Sequence, residues 1–150
     1  MNTVASLGRP AEILLVDDSD VDVKLTRKAF EREKLVVNLH RVENGEECLA
    51  FLRKQSKYSS VPTPDLILLD INMPVMDGHE LLAKLLKDDE LRHLPVVVLT
   101  SSEDERDVLK MYKLRCNAYL VKPVDANKFQ EMIKLINAFW LTVVVLPPKQ

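Results

Sequence analysis

Five short apolar runs divide this chain at regular intervals, and a segment with helical spacing follows each of them. The runs cover residues 12–16, 35–42, 65–69, 95–99 and 117–121. Three of them contain the continuously apolar stretches ILLV, LILL and VVVL, which are typical of strands covered on both faces of a parallel sheet. The second run is more mixed, as expected of an edge strand. This alternation predicts a parallel sheet with helices on both faces, joined by right-handed crossovers.

The segments between the runs repeat apolar residues every three or four positions, which is typical of helices that pack one face on a core. In the first segment this series includes Val21, Leu25, Ala29 and Phe30, and in the fourth it includes Val108, Leu109 and Tyr112. We therefore expect these side chains to face the sheet.

Size and charge exclude several classes of protein. A chain of 150 residues fits one domain, and its net charge of −2 gives no electrostatic reason to bind nucleic acid or an anionic membrane surface. No apolar run approaches the roughly 18 residues that a membrane-spanning helix needs, and no secretory signal pattern opens the chain. We expect a cytoplasmic protein in which the isolated Cys48 and Cys116 are reduced and buried.

The chain divides into an N-terminal extension of residues 1–9, one domain over residues 10–140, and a tail of residues 141–150. Within FWLTVVVL, residues 139–146, the β-branched and aromatic side chains predict an additional strand. The tail could wrap back onto its own domain, or it could pair with another chain as an edge strand or in a symmetric dimer. Both alternatives stay open, and a homodimer is expected among the partners.

Polar side chains follow the predicted strands at the point where each strand ends. The first strand ends at Asp17 and Asp18, the third at Asp70, the fourth at Thr100, and the fifth leads into Lys122. Sites in open α/β sheets form just outside the carboxyl ends of the strands. If these strands are neighbours, the five side chains converge on one rim.

Three carboxylates on one rim need a cation. Two unit charges about 4 Å apart repel by roughly 4 kcal/mol at an effective dielectric constant near 20. Mg²⁺ would offset this repulsion, because it takes a few hard oxygen ligands and also binds phosphate oxygens, and Lys122 would supply a second cation. With both present, one carboxylate could attack phosphorus while the metal and the lysine neutralise the phosphoryl oxygens.

Four motifs, VDDSD, LLDINMPVMDG, VVLTSS and YLVKPV, resemble in order and spacing the receiver domain of two-component response regulators. The resemblance covers about residues 10–138. It implies a flavodoxin-like, doubly wound (βα)5 fold whose five-stranded parallel sheet has the order 2-1-3-4-5. It also implies that Asp70 accepts phosphate from the phosphohistidine of a histidine kinase.

The resemblance further implies a Mg²⁺ site. Asp18, Asp70 and the backbone carbonyl of Asn72 would bind the metal, and Asp17 would act through a metal-bound water. Such a protein is not an enzyme in the ordinary sense, apart from Mg²⁺-dependent self-phosphorylation and autodephosphorylation.

The same resemblance assigns a switch. Lys122 would contact the phosphoryl group, Thr100 would swing toward it, and Tyr119 occupies the position of the rotating aromatic residue. The Lys122–Pro123 bond lies where the family usually keeps a cis peptide. The family often has Gly and Ala where this chain has Arg115 and Cys116, and a non-glycine residue is awkward in that turn if it needs a positive φ.

Two further stretches, ELRHLPVVVLTSS and FWLTVVVLPPKQ, resemble the small response regulators of bacterial, mainly cyanobacterial, phytochromes. This narrower resemblance implies a phytochrome-type light sensor as the kinase. The tail is too short for an output domain, so the signal is expected to pass by contact with a downstream protein whose identity the sequence does not give.

Two alternatives remain. The first is a receiver-like binding module that works without phosphorylation, which the complete set of acidic and switch residues disfavours. The second is a phosphatase with an Asp nucleophile, but Ile71 and Asn72 follow Asp70 where such enzymes have a second carboxylate. Other polar residues have simpler interpretations: Asp20 and Asp22 favour the start of a helix, and His40, His79 and His93 are expected at the surface.

Overall fold

The computed structural model describes residues 8–33 and 36–149, so residues 1–7 of the expected N-terminal extension and Gln150 of the tail lie outside it. The strands are β1 (Ala11–Val16), β2 (Val37–Val42), β3 (Leu66–Leu69), β4 (Val96–Thr100) and β5 (Ala118–Val121). The helices are α1 (Asp20–Glu31), α2 (Gly45–Leu52), α3 (Gly78–Lys87), α4 (Glu105–Lys113) and α5 (Ala126–Ala138). Strands and helices alternate throughout, as the apolar runs predict.

The strands form one parallel sheet in the order β2-β1-β3-β4-β5. This is the order that the resemblance implies, and the predicted fold class is confirmed. The three continuously apolar runs occupy the middle of the sheet as β1, β3 and β4, and the mixed run forms the edge strand β2. The strand order reverses between β1 and β3, so the carboxyl ends of these two strands lie side by side.

The sheet separates two hydrophobic cores because alternate residues of a strand point to opposite faces. Leu14 and Ile67 belong to the core that contains buried residues of α2 and α3. Ile13 and Leu66 belong to the other core, which contains buried residues of α1 and α5. A helical layer therefore covers each face of the central strands, as predicted.

The buried face of α1 agrees only in part with the predicted apolar series. Val23, Thr26 and Ala29 are buried, whereas Val21 is 76% exposed and Leu25 is 37% exposed. Ser19 caps α1, because its side chain accepts a hydrogen bond from the backbone N–H of Asp22 at 3.2 Å. Ala29 and Phe30 are buried as predicted, but the prediction for Val21 and Leu25 was wrong, because Val23 and Thr26 take the buried positions in the first two turns.

The face of α4 was also predicted incorrectly, but the turn after it has the expected strain. Met111 is fully buried, while Leu109 and Tyr112 are exposed. Arg115 has a φ of 70°, so a non-glycine residue does occupy a left-handed conformation there. The backbone N–H of Cys116 donates to the carbonyl of Met111 at 3.1 Å, which closes the turn and directs the chain into β5.

The tail packs on its own domain and does not form the predicted strand. Phe139–Val143 forms a π-helical turn that continues α5, and residues 144–149 after it have no helix or strand. Leu141 and Leu146 are buried in the core that contains α1 and α5. Lys149 then donates to the carbonyl of Thr63 and pairs with Asp65 at 3.1 Å. This structure therefore shows the first of the two alternatives, a tail that packs on its own domain.

Two smaller expectations can be compared with the described part of the chain. Cys48 and Cys116 are both free and buried, as predicted. Across residues 8–33 and 36–149, no helix is long and apolar enough to cross a membrane.

Candidate functional site

The site lies at the carboxyl edge of the sheet, where the last backbone hydrogen bonds of the strands hold it in place. Asp17, Asp70 and Lys122 each stand one residue beyond a strand. The backbone N–H of Asp70 donates to Val16 O at 2.9 Å, and that of Lys122 donates to Thr100 O at 2.7 Å. The backbones that carry these side chains are thus held by the sheet itself.

The carboxylates of Asp17, Asp18 and Asp70 form one cluster in which an oxygen of each lies within 4.8 Å of the others. Asp17 and Asp70 are buried, and Asp18 is exposed. The convergence on one rim that the strand ends predict therefore occurs.

Lys122 is the cation of the site. Its Nζ lies 2.7 Å from Asp17 Oδ2, 2.9 Å from Asp22 Oδ2 and 3.4 Å from Asp70 Oδ2. Burial opposes the charge on this ammonium, but the hydrogen bonds to Asp17 and Asp22 and the attraction of Asp70 outweigh burial and raise the pKa of Lys122. The contact with Asp22, one hundred residues away in sequence, was not foreseen.

Asp17 is held through both its side chain and its backbone. Its Oδ1 accepts from the backbone N–H of Ser19 at 2.9 Å, and its Oδ2 accepts from Lys122. Burial raises the pKa of Asp17 and is only partly offset by these hydrogen bonds. Arg41 Nε donates to the Asp17 carbonyl at 2.9 Å, while Arg41 Nη1 lies 3.0 Å from Asp20. Arg41 was missed because nothing in the mixed run of β2 distinguishes a supporting arginine.

Asp70 is positioned by the loop that follows it. Its Oδ1 accepts from the backbone N–H of Ile71 at 2.7 Å, which leaves Oδ2 facing Lys122. Gly78 packs against the same backbone, and a Cβ there would lie 2.6 Å from the carbonyl oxygen of Asp70. Only glycine fits this approach. Asn72, in the same loop, is exposed, and the role of its carbonyl stays a prediction.

The predicted switch residues lie on a hydrogen-bonded chain at the end of β4. Thr100 is fully buried, and its Oγ1 is 3.5 Å from the N–H of Ser102. Tyr119 donates its hydroxyl to the Ser102 carbonyl at 2.9 Å, and burial raises the pKa of Tyr119. Ser102 Oγ donates to Asp107 at 2.6 Å, and Asp107 in turn lies 3.2 Å from His79 Nε2.

The contact between His79 and Asp107 corrects the prediction for His79. It was expected at the surface, but its side chain is largely buried and Nδ1 has no partner among the described residues. Because His79 belongs to α3 and Asp107 to α4, their contact connects both helices to the loop that carries Ser102.

The peptide between Lys122 and Pro123 differs from the expectation. No cis peptide bond occurs in residues 8–33 and 36–149, so this bond is trans. The N–H of Lys122 makes the last bond of the β4–β5 ladder, and Pro123, which has no N–H, cannot extend it.

The acidic cluster has the chemistry of a divalent cation site. Its three carboxylates carry more negative charge than the single ammonium of Lys122 neutralises, and all three offer hard oxygen ligands. A small divalent cation would supply the missing charge and would keep water at its remaining positions. Asp17, Asp18 and Asp70 therefore fit such a cation.

Comparison with known proteins agrees with this geometry. Residues 13–134 match the response regulator receiver domain. The chain is 40% identical over 138 residues to the response regulator Rcp1 of Synechocystis sp., covering 92% of this chain and 94% of Rcp1.

Solved structures show the same relationship. The phosphorylated cyanobacterial phytochrome response regulator RcpA matches with a TM-score of 0.88 and 36% identity, covering 93% of this chain and 99% of RcpA. The Mn²⁺-bound form of Rcp1 matches with a TM-score of 0.86 and 40% identity, covering 93% and 100% of the two chains. The chain thus belongs to the response regulator receiver domain family, with cyanobacterial phytochrome response regulators among its relatives.

Proposed function

We propose that Asp70 accepts a phosphoryl group from the phosphohistidine of a histidine kinase, and that the protein signals this state by contact with another protein. The observation that carries the proposal is the position of Asp70, whose Oδ2 faces Lys122 at 3.4 Å within the acidic cluster. In the transfer, a carboxylate oxygen of Asp70 forms the P–O bond while the P–N bond breaks. The electron pair of the broken bond returns to the imidazole nitrogen.

The other residues of the site neutralise charge. Lys122 would donate to a phosphoryl oxygen, because its ammonium is already within hydrogen-bond distance of Asp70. Mg²⁺ would bind Asp18, Asp70 and the Asn72 carbonyl, with Asp17 acting through a bound water, and would screen the phosphoryl charge. The carboxylate cluster and the Mn²⁺-bound form of the similar Rcp1 support this assignment.

The signal would arise at Thr100 and Tyr119. A phosphoryl group on Asp70 adds negative charge and attracts the Thr100 hydroxyl, which lies at the end of the neighbouring strand. Since the backbone after Thr100 is bonded to Tyr119 through the Ser102 carbonyl, movement of this loop would reposition the tyrosine. Phosphorylation would thereby shift an equilibrium between two arrangements of the loops and helices near β4 and β5.

A phytochrome-type kinase is the partner we propose, since the similar RcpA is a phytochrome response regulator. A cytoplasmic location and a homodimer belong to the same proposal, and mass measurement in solution tests the dimer. The protein would catalyse only its own Mg²⁺-dependent phosphorylation and dephosphorylation.

The test of the function is phosphotransfer from a purified, labelled phytochrome histidine kinase. We expect rapid transfer to the wild type and to Asp89→Asn, in which an exposed carboxylate is removed, and none to Asp70→Asn. Transfer that is no faster than from an unrelated histidine kinase would remove the phytochrome assignment. Transfer to Asp70→Asn would remove Asp70 as the acceptor.

A further inference from the structure

Asp22 makes a contact that the proposed chemistry does not use. It lies in the first turn of α1, and its Oδ2 accepts a hydrogen bond from Lys122 Nζ at 2.9 Å. The Asp22 side chain is 37% exposed, whereas that of Lys122 is only 8% exposed. Asp22 does not belong to the cluster of Asp17, Asp18 and Asp70, which is the part of the site that fits a metal.

The hydrogen-bonding capacity of Lys122 is fully used in this state. An ammonium has three N–H groups, and three carboxylates surround it, those of Asp17, Asp22 and Asp70. The contact with Asp70 is the longest, so the ammonium lies on the side of Asp17 and Asp22. A phosphoryl oxygen on Asp70 that replaces this long contact with a full hydrogen bond would therefore draw Lys122 away from Asp17 and Asp22.

Asp17 and Asp22 differ in how a divalent cation bound at the site would affect their charge. Asp17 belongs to the acidic cluster, so a divalent cation with its bound water would compensate the charge of Asp17. Asp22 would keep its full attraction for Lys122, because its contact in the site is with the lysine.

We propose that Asp22 is a positioning residue that holds Lys122 toward α1 and competes for its ammonium with a phosphoryl group on Asp70. The inference rests on the proposed function, because it assumes that Asp70 carries the phosphoryl group. As a consequence, Asp22 weakens the binding of a phosphoryl group at the site, because it competes for the Lys122 ammonium. Removing the Asp22 carboxylate releases Lys122 and strengthens its interaction with the phosphoryl oxygens.

The test uses beryllofluoride with Mg²⁺, a non-covalent mimic of a phosphoryl group, in a calorimetric titration of the full chain. Asp22→Asn is compared with Asp20→Asn, which removes the same charge from the same turn of α1. Asp20 is 80% exposed and pairs with Arg41 rather than Lys122. We expect Asp22→Asn to bind beryllofluoride about fivefold more tightly than Asp20→Asn, the effect of losing one modest charged hydrogen bond.

A second pair of variants shows whether Asp22 acts through Lys122. In the Lys122→Met background, the variants Asp22→Asn and Asp20→Asn should bind beryllofluoride equally. Mg²⁺ alone should bind the two single variants equally, because each loses one charge. Asp22→Ser replaces Asp22→Asn if the latter does not fold, and Asp22→Glu, which keeps the carboxylate, should stay close to the wild type.

The outcomes separate the two levels of the proposal. Equal affinities of Asp22→Asn and Asp20→Asn, weaker binding by Asp22→Asn, or a difference that persists in Lys122→Met would overturn the role of Asp22 alone. A wild type that binds no beryllofluoride in Mg²⁺ would overturn the proposed function and this inference together.

Discussion

Asp17 Oδ2 and Lys122 Nζ lie 2.7 Å apart although 105 positions separate the two residues in the chain. Their side chains are 1% and 8% exposed, so this ion pair is shielded from water. The pair connects the carboxyl ends of β1 and β5 across the rim of the sheet. It thereby brings a cation to the place where three carboxylates would otherwise repel one another.

Replacing Lys122 with Met should destabilise the metal-free protein by about 3 kcal/mol, because buried carboxylates lose their only bound cation in the described site. Urea unfolding in the presence of a chelator measures the loss. Lys128→Met is the control, since Lys128 is exposed on α5. Equal unfolding midpoints for the two variants would show that the ion pair does not stabilise the fold.

Divalent cations should stabilise the protein through the acidic cluster. At a Mg²⁺ concentration ten times the dissociation constant, the free energy of unfolding should rise by about 1.4 kcal/mol. Asp18→Asn should lose most of this gain, because Asp18 contributes one of the three clustered carboxylates. Asp20→Asn should retain it. Thermal melts with and without Mg²⁺ make the measurement, and a gain of equal size in Asp18→Asn would place the metal elsewhere.

Gly78→Ala should damage the site more than Gly45→Ala. A Cβ at Gly78 meets backbone, lying 2.6 Å from the Asp70 carbonyl oxygen, whereas a Cβ at Gly45 meets the flexible side chain of Met76 at 2.7 Å. We expect Gly78→Ala to lower the free energy of unfolding by about 2 kcal/mol and Gly45→Ala to change it by less than about 1 kcal/mol. Chemical denaturation and Mg²⁺ titration of both variants check this order, and the reverse order would contradict it.

Asp65 connects both ends of the described chain. It forms a two-bond ion pair with Arg9, at 2.8 Å for each bond, and a contact with Lys149 at 3.1 Å. Burial opposes ionisation of Asp65, but the hydrogen bonds from Arg9, the Glu12 backbone and Lys149 outweigh burial and lower its pKa. Asp65→Asn should therefore lower the free energy of unfolding by about 2 kcal/mol at neutral pH.

The pH dependence of that loss has a definite direction. A carboxylate with a lowered pKa contributes its full stabilisation above the pKa of the unfolded chain, about 3.9. The contribution disappears as the pH falls through the lower pKa of the folded state. The stability gap between wild type and Asp65→Asn should thus be constant from about pH 5 to 7 and shrink below about pH 3.9. A gap that grows toward acid pH would contradict the assignment, and Asp89→Asn, which removes an exposed carboxylate, is the control.

The tail should stabilise the chain to which it belongs. Leu146 is buried, whereas its neighbour Val145 is 88% exposed. Leu146→Ala should cost about 2 kcal/mol relative to Val145→Ala, and the difference should be the same at low and high protein concentration. A difference that depends on concentration would show that the tail packs on a second chain. Deleting residues 141–150 and measuring mass in solution tests separately whether the tail supports a dimer.

The sheet and the acidic rim could be predicted because each depends on short stretches of sequence. Continuously apolar runs identify buried parallel strands, and parallel strands bring their carboxyl ends to one edge. Asp17, Asp70 and Lys122 each follow such a run directly. Their proximity therefore follows from strand order without knowledge of any individual contact.

Other features depend on tertiary contacts that no local pattern contains. The sequence indicates only that Asp22 favours the start of a helix, and the packing of α1 against α5 is what brings it to Lys122. The sequence predicts His79 at the surface, and its contact with Asp107 arises only because α3 and α4 lie side by side. The tail has the composition of a strand, but α5 continues into a π-helical turn that buries Leu141 in the core. In that position burial of apolar surface outweighs β propensity.

The most direct test of the proposed function is the intact mass of the protein after incubation with Mg²⁺ and acetyl phosphate. The proposed function predicts one added phosphoryl group on the wild type, with acetate released, and none when Mg²⁺ is removed by a chelator. It predicts none on Asp70→Asn, while Asp89→Asn should be labelled like the wild type. Labelling that persists in Asp70→Asn, or a wild type that no phosphoryl donor labels, would contradict it.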